Sequence, residues 1–298
     1  MLGAEGVRIS ALFHGDMLEV VAPAKINLSL RVLGKRLDGY HDLRSLVCPV
    51  SVFDRLRFWE GSEAGISFRC SDATIPSDDT NLVVRAARLF CDRLGIEAAL
   101  EIELEKGIPH GAGLGGGSSD AAATLAGLNQ LYDKRLPVEA LSAFAEELGS
   151  DVPLFLRSGA VWIGGRGERV EPAVLPRDWA VLMVKPEFGV PTPWAYGALA
   201  GSVELPGINF RGQDIGGVVL ENDLERPVFG KYLLLAEMKR WLAEQGRCLG
   251  ALMSGSGSTV FGVFDVEGEA EECAGRFREE FGGEFWVRVA RTMGRSRG

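Results

Sequence analysis

The sequence predicts an α+β protein of two domains, and three observations predict it. The chain has 298 residues, enough for two hydrophobic cores or one large one. The stretch AALEIELEKGIP alternates, with Leu100, Ile102 and Leu104 on one side and Glu101, Glu103 and Glu105 on the other; a strand with one wet face belongs to an antiparallel or mixed sheet. Helical and strand periodicities follow one another without the steady strand–helix–strand rhythm of a doubly wound sheet. The domain boundary falls near Pro172, giving domains over 17–172 and 173–298.

Residues 20–33 read as a strand interrupted by Pro23, with Ile26, Leu28 and Leu30 alternating. The stretch before Met17 reads as a loose leader. The Asp38-Gly39 pair marks a turn, and 46–58 returns to strand. A helix is predicted over 79–94, capped by Asp79 or Thr80, with Leu82, Ala86, Leu89 and Phe90 on its apolar face. A glycine-rich loop follows the alternating strand and leads into a helix over about 119–132; a second helix covers 137–148. Residues 160–174 read as a hairpin, 179–184 as a strand, and the Pro-rich 185–199 as an approach to a short helix. A helix over 232–245, a strand–loop–strand unit over 248–265, a helix over 267–281 and a strand over 284–290 close the pattern. The basic last residues, RTMGRSRG, read as frayed.

Composition narrows the function. The net charge is −9, which repels a phosphate backbone and argues against general nucleic-acid binding. An anionic small molecule is not excluded, because a helix N-terminus overrides the global field locally. Five cysteines, an odd number without a CxxC pair, imply unpaired thiols in a reducing compartment, the cytoplasm. Three scattered histidines make a His/Cys zinc site improbable. No apolar run is long enough to span a bilayer.

The most informative stretch is PHGAGLGGGSSDAAATLAGLNQLY. Its glycines permit positive φ and close backbone approach, successive backbone N–H groups make a concave anion site, and the helix that follows adds its positive end. Ala122, Leu125, Ala126, Leu128 and Leu131 recur at helical spacing, so the loop sits on a packed helix and is not a flexible linker. It is not a Walker A loop, which needs a lysine where Ser118 stands. GAGLGG formally matches a dinucleotide-binding fingerprint, but a second helix follows where that fold needs a strand ending in an acid. The sequences that mark eukaryotic-type protein kinases are missing.

The remaining pattern, Pro-x-x-x-Gly-Leu-Gly-Gly-Gly-Ser-Ser, resembles the phosphate loop of the GHMP kinase family. Four further blocks, in the family's order, extend the resemblance over nearly the whole chain from Val20: PAKINLSL with GKRLDGYHDL, GSDVPLFL, NDLE, and MSGSGSTVF. The blocks are most similar to the branch whose substrate is a cytidine diphosphate methylerythritol. The resemblance implies a two-domain GHMP kinase fold with a ribosomal-protein-S5-like N-terminal domain and a ferredoxin-like C-terminal domain. It implies ATP as phosphate donor, Mg2+ as its companion, a small-molecule acceptor, and no nucleic-acid or membrane partner. The chain would act as a monomer or homodimer. Pro109, His110, Gly111, Ala112, Gly113, Leu114, Gly115, Gly116, Gly117, Ser118 and Ser119 would hold the nucleotide. The sequence assigns no metal ligand, though Ser119, at the helix start, is a candidate. His110, Ser150 and Ser258 depart from residues common in the family, and none removes a group the chemistry needs.

Phosphoryl transfer to an alcohol needs the hydroxyl positioned, its proton accepted and the phosphate charge offset. Lys25 lies inside an apolar strand between Ala24 and Ile26, where pairing with a carboxylate would account for it. Asp151 stands in GSDVP, at a helix end. Each also has an ordinary reading: Lys25 snorkelling from a strand edge, Asp151 capping the next turn. By resemblance, Asp151 is the general base and Lys25 its partner. Asn27 would contact the acceptor's hydroxyls, Tyr40 and Tyr196 would sandwich the cytosine, and His41 would read its edge. Trp194 reads better as an amphipathic filler. The Ser254–Ser258 turn is either a plain hairpin or a close backbone approach to ligand. Homoserine or mevalonate kinases, and a non-catalytic nucleotide-binding relative, are the alternative readings.

Overall fold

A computed structural model describes residues 11–36, 39 and 41–294. Its packing separates the chain into two compact units that are not consecutive in sequence: the first holds 11–24, 52–110 and 115–158, the second 25–51, 111–114 and 159–294.

In the first unit, β1 (Ala11–His14) and the start of β2 (Met17–Lys35) form an antiparallel hairpin, Ala11 facing Val20. The segment before Met17 is thus in part a strand; the expectation for 1–10 lies outside the described residues. The second half of β3 (His41–Glu60) pairs antiparallel with β5 (Ala99–Glu105), which pairs parallel with β4 (Gly65–Cys70). The alternation in β5 is realised: Leu100, Ile102 and Leu104 are buried. On the opposite face, Arg57 bonds Glu19, Glu103 and Glu105. Helices α1 (Leu82–Leu94), α2 (Gly116–Leu131) and α3 (Val138–Leu148) pack on one another. The cap of α1 is Asn81, whose side chain accepts from Val83 N–H, rather than Asp79 or Thr80. Asp78 explains the displacement: its carboxylate takes the Thr80 N–H and hydroxyl in a turn of its own. A short 3-10 helix, Pro153–Leu156, follows α3 and is wholly buried.

In the second unit, β10 (Val219–Asn222) lies parallel to β2 with Asn222 opposite Leu30, and β9 (Gln213–Asp214) lies antiparallel to β10. Strand β6 (Val161–Gly165) pairs with the first half of β3 and with β7 (Arg169–Pro172), the expected hairpin. Strand β2 runs unbroken through Pro23, against expectation; proline is tolerated in a strand wherever its missing N–H is not required by a neighbour.

A second sheet has the order β11 (Gly250–Met253), β12 (Val260–Phe264), β8 (Ala180–Lys185), β13 (Trp286–Arg291), antiparallel throughout. Helix α6 (Leu233–Ala243) packs on β11 and β12, and α7 (Glu267–Phe281) on β8, β12 and β13. Strand, helix, two strands, helix and strand in this spatial order make the ferredoxin-like split βαβ arrangement. Its core joins Leu182, Val184, Leu235, Met238, Val260, Phe264 and Phe277. Two short helices, α4 (Thr192–Gly197) and α5 (Glu225–Lys231), lie before α6. All five cysteines are free. Among the described residues no helix is long and apolar enough to cross a membrane.

Candidate active site

The loop 109–119 is built from backbone conformation. Gly111, Gly113 and Gly115 all have positive φ. At Gly113 two constraints coincide: φ is +76°, and a Cβ would collide with the carbonyl oxygens of Ser254 and Gly257, the latter at 2.8 Å. Any side chain there would push two buried turns apart. Gly115 is the left-handed N-cap of α2, and no side chain caps the helix. Its first-turn N–H groups therefore depend on a partner from outside the helix. The helix starts at Gly116, three residues earlier than the periodicity suggested, because glycines at 116 and 117 carry no apolar signal.

The loop's side chains contribute little. Pro109 is half-buried and His110 exposed, Ala112 and Leu114 are buried, and Ser118 is half-buried. Ser119 is 1% exposed, and its hydroxyl has no protein hydrogen-bond partner. A buried orphan hydroxyl in the first turn of a helix suits an anion or its counter-cation, so these residues fit a nucleotide phosphate with magnesium. Among the described residues no group of three His, Cys, Asp or Glu side chains is placed to hold a metal.

Within the second unit, Lys25 and Asn27 are each 5% exposed, on the inward face of β2. Lys25 Nζ donates to Asn27 Oδ1 at 2.6 Å, and the Lys25 N–H donates to Leu114 O at 2.9 Å. Asn27 Nδ2 donates to Ser45 Oγ at 2.8 Å, and Ser45 Oγ donates to Ser29 O. The Ser254–Ser258 turn closes this side. The Ser254 hydroxyl donates to Gly113 O at 2.9 Å, and Ser258 Oγ donates to Phe188 O at 2.6 Å. The turn is thus buried and makes a close approach to the 111–114 segment, beyond what a plain hairpin needs.

Asp151 belongs to the first unit. It is half-buried in the turn between α3 and the 3-10 helix, held by the Val152 N–H donating to Gly149 O at 3.1 Å. Its pairing with Lys25 therefore stays an inference from the resemblance.

Of the aromatic residues, Tyr40 lies outside the described residues. His41 opens β3, and its ring stacks on Tyr196 of α4, with centroids 5.7 Å apart and planes 27° apart. Trp194 instead meets Tyr232 edge-on and carries Lys231 over its face, a filler as expected.

Sequence reasoning missed a buried charged cluster. Lys106 Nζ donates to Asp54 Oδ2 at 2.5 Å and to Asp120 Oδ2 at 2.9 Å. Asp54 Oδ1 also accepts the N–H groups of Gly107 and Ile108. Asp120 stands just after the first turn of α2, so the cluster ties the start of that helix to Asp54 and Lys106. Burial pulls the Lys106 pKa down, but Asp120 and Asp54 together outweigh it and the net shift is upward. Burial pushes the Asp120 carboxyl well up, against the pull of Lys106. The signal was of the kind used for Lys25: a charged residue on the buried face of a strand, here Asp54 in SVFDRLRF.

A raised carboxyl pKa means that the fold binds a proton the unfolded chain has lost. That contribution is fully present below the ordinary aspartate value, about 3.9, and is lost as pH rises through the folded-state value. Asp120→Asn should remove this slope. Relative to that variant, the wild type should lose urea stability as pH rises from 4, by at most about 1.4 kcal/mol per pH unit. Parallel pH profiles for the two proteins would contradict this.

A glycine-rich loop that leads into a helix start without a side-chain cap suits an anionic phosphate group. The comparisons agree. Residues 81–159 match the GHMP kinases N terminal domain and residues 208–283 the GHMP kinases C terminal family, and the chain belongs to the GHMP kinases. It is 43% identical over 248 residues to a 4-diphosphocytidyl-2-C-methyl-D-erythritol kinase of Methylacidiphilum infernorum, covering 83% of this chain and 86% of that one. A crystal structure of a 4-(cytidine 5'-diphospho)-2C-methyl-D-erythritol kinase superposes with a TM-score of 0.76 at 37% identity, covering 91% of this chain and 98% of that one. Within the GHMP kinases the chain thus belongs to the 4-diphosphocytidyl-2-C-methyl-D-erythritol kinase family. Homoserine kinase from Cytophaga hutchinsonii shares the fold, with a TM-score of 0.70 at 22% identity over 94% of this chain and 96% of that one.

Proposed function

We propose that the chain transfers the γ-phosphate of ATP to the 2-hydroxyl of 4-diphosphocytidyl-2-C-methyl-D-erythritol, a step of non-mevalonate isoprenoid precursor synthesis. The observation that carries this reading is the positive-φ glycine turn at Gly113, whose neighbour Leu114 accepts the Lys25 N–H, in a chain 43% identical to a kinase of that name.

In this reading residues 109–119 hold the nucleotide phosphates, chiefly by main-chain N–H groups and the Ser119 hydroxyl. Magnesium, when bound, neutralises phosphate charge; Ser119 is the candidate to hold it. Lys25 offsets the charge on the group in transfer and keeps Asp151 ionised. Asp151 accepts the proton of the 2-hydroxyl. Asn27, its amide oriented by Lys25 and Ser45, contacts the acceptor's hydroxyls. Tyr40 and Tyr196 stack on the cytosine and His41 reads its edge. The 17–172 domain supplies the nucleotide and catalytic groups, and 173–298 completes the acceptor site. We place the enzyme in the cytoplasm, as a monomer or homodimer.

Two results test this. The product should show, by phosphorus NMR, one new phosphomonoester at the 2-position with the diphosphate linkage intact; cleavage of that linkage would reject the reading. Base–aromatic stacking contributes about 1–3 kcal/mol per base. Tyr196→Ala should therefore raise KM for the cytidine substrate roughly 5- to 150-fold and leave KM for ATP within about twofold. An equal rise in both would remove Tyr196 from the acceptor site.

A further inference from the structure

The NDLE segment was singled out by sequence but holds no reacting group in the reading above. Its side chains do something specific: they bind the main chain of the turn that backs Lys25. Asn222, 6% exposed, ends β10. Its Nδ2 donates to Met253 O at 2.8 Å and to Gly255 O at 2.8 Å, while its Oδ1 accepts the Leu224 N–H at 2.9 Å. Both amide hydrogens are thus used. Three residues on, Glu225 Oε1 accepts the Met253 N–H at 2.8 Å, and Glu225 Oε2 takes Lys239 Nζ at 2.5 Å. Met253 therefore has both backbone polar groups bound by side chains from 222–225.

Between the two carbonyls that Asn222 grips stands Ser254. Its hydroxyl donates to Gly113 O, and its oxygen receives the Asn27 N–H at 3.4 Å. The backbone of Gly255 fills the space behind the lysine. A Cβ there would lie 3.3 Å from Asn27 Oδ1, 3.4 Å from Lys25 Nζ and 3.4 Å from Gly113 O. The 253–255 main chain thus runs close to Lys25 Nζ, the Asn27 side chain and the Gly113 carbonyl, with room for no more than a glycine at 255.

We propose that Asn222 is a positioning residue for phosphoryl transfer: by clamping Met253 O and Gly255 O it sets the turn that holds Lys25 Nζ and the Gly113 carbonyl in place. The proposal rests on the kinase reading and adds a residue to it. Asn222 touches no reacting atom in this account and acts only through 253–255. Alanine removes both donors and leaves two buried carbonyls without partners. Misplacement of a reacting group by about 1 Å costs on the order of 10²-fold in rate.

The test compares wild type, Asn222→Ala, and Val287→Ala, a core truncation in β13 remote from the turn in sequence. Each is assayed well below its own unfolding midpoint. Asn222→Ala should lower kcat about 10- to 100-fold with KM for the cytidine substrate changed less than about threefold, since the aromatic contacts are untouched. Val287→Ala should keep kcat within about twofold at a comparable loss of midpoint. Asn222→Ala turnover within twofold of wild type overturns the proposal, and so does an equal kcat loss in both variants. A readout independent of activity separates this from the kinase reading: hydrogen exchange of the 253–259 amides. Faster exchange in Asn222→Ala alone supports the clamp even where the wild type phosphorylates none of the acceptors tried, a result that would sink the kinase reading only. Unchanged exchange overturns the clamp.

Discussion

Replacing Asp151 by Asn should lower kcat by about 10²- to 10⁴-fold, the usual contribution of a positioned acid–base group, while ATP binds with its affinity changed no more than a few-fold. The two halves of the expectation have different physical origins. The amide has the shape of the carboxylate but does not accept a proton at neutral pH, so only the hydroxyl activation is lost. In the proposed reading, nucleotide affinity rests on main-chain N–H groups at the start of α2, which the substitution leaves in place. The site tolerates the change sterically: Asp151 is half-buried in a turn fixed by Val152, and the 3-10 helix after it is packed by Pro153, Leu154, Phe155 and Leu156. Steady-state kinetics with a fluorescent nucleotide titration would check both halves. Turnover like that of the wild type would remove Asp151 from the chemistry; loss of ATP binding in step with turnover would make it a nucleotide ligand instead.

Lys239→Met should destabilise the fold by about 3–5 kcal/mol, because it leaves an unpaired carboxylate in the core. Glu225 is 1% exposed and Lys239 2%. Their contact is 2.5 Å, and Lys239 Nζ also donates to Asn209 O. Burial pushes the Glu225 pKa up, against the pull of Lys239 and of the Met253 N–H. Once the ammonium is gone, Glu225 should take up a proton to stay buried. The cost then depends on how far the pH lies above the ordinary carboxyl value, so the deficit should shrink from pH 7 to pH 5. The double variant Lys239→Met/Glu225→Gln should regain much of the loss, since the amide oxygen still accepts the Met253 N–H and no charge remains. Urea melts of the three proteins at both pH values measure this. A single-variant loss below about 1 kcal/mol, or one independent of pH, would mean that the pair is effectively solvated.

The parts of the fold that were legible were those written in local periodicity. The alternation of Leu100, Ile102 and Leu104 located β5, and the spacing of Ala122, Leu125 and Leu128 located α2. The 267–281 helix was read to the residue. Strand β4 was missed because GISFRC buries no residue fully and alternates only between half-buried and exposed. Strand β10 and helix α5 are four and seven residues long, too short for a period to emerge. At the candidate site, the glycine loop and Lys25 stood out in the sequence as residue types that a strand or helix does not otherwise favour. The supporting contacts did not, because they join positions far apart in sequence: Asp54 to Lys106 across 52 residues, Asn27 to Ser254 across 227. Lys106 and Asp120 each look like an ordinary solvated charge until the fold brings Asp54 and Asp120 to the one Lys106 ammonium. Lys25 donates to the Asn27 amide oxygen, which strand periodicity places two residues along on the same face.

The most direct test of the kinase assignment is an ADP-release assay with one preparation of enzyme and three acceptors: 4-diphosphocytidyl-2-C-methyl-D-erythritol, homoserine and mevalonate. Rapid ATP-dependent turnover of the cytidine compound, with the other two at the background ATPase rate, is the predicted result. Equal or faster turnover of homoserine or mevalonate, or ADP release indifferent to any acceptor, would contradict it.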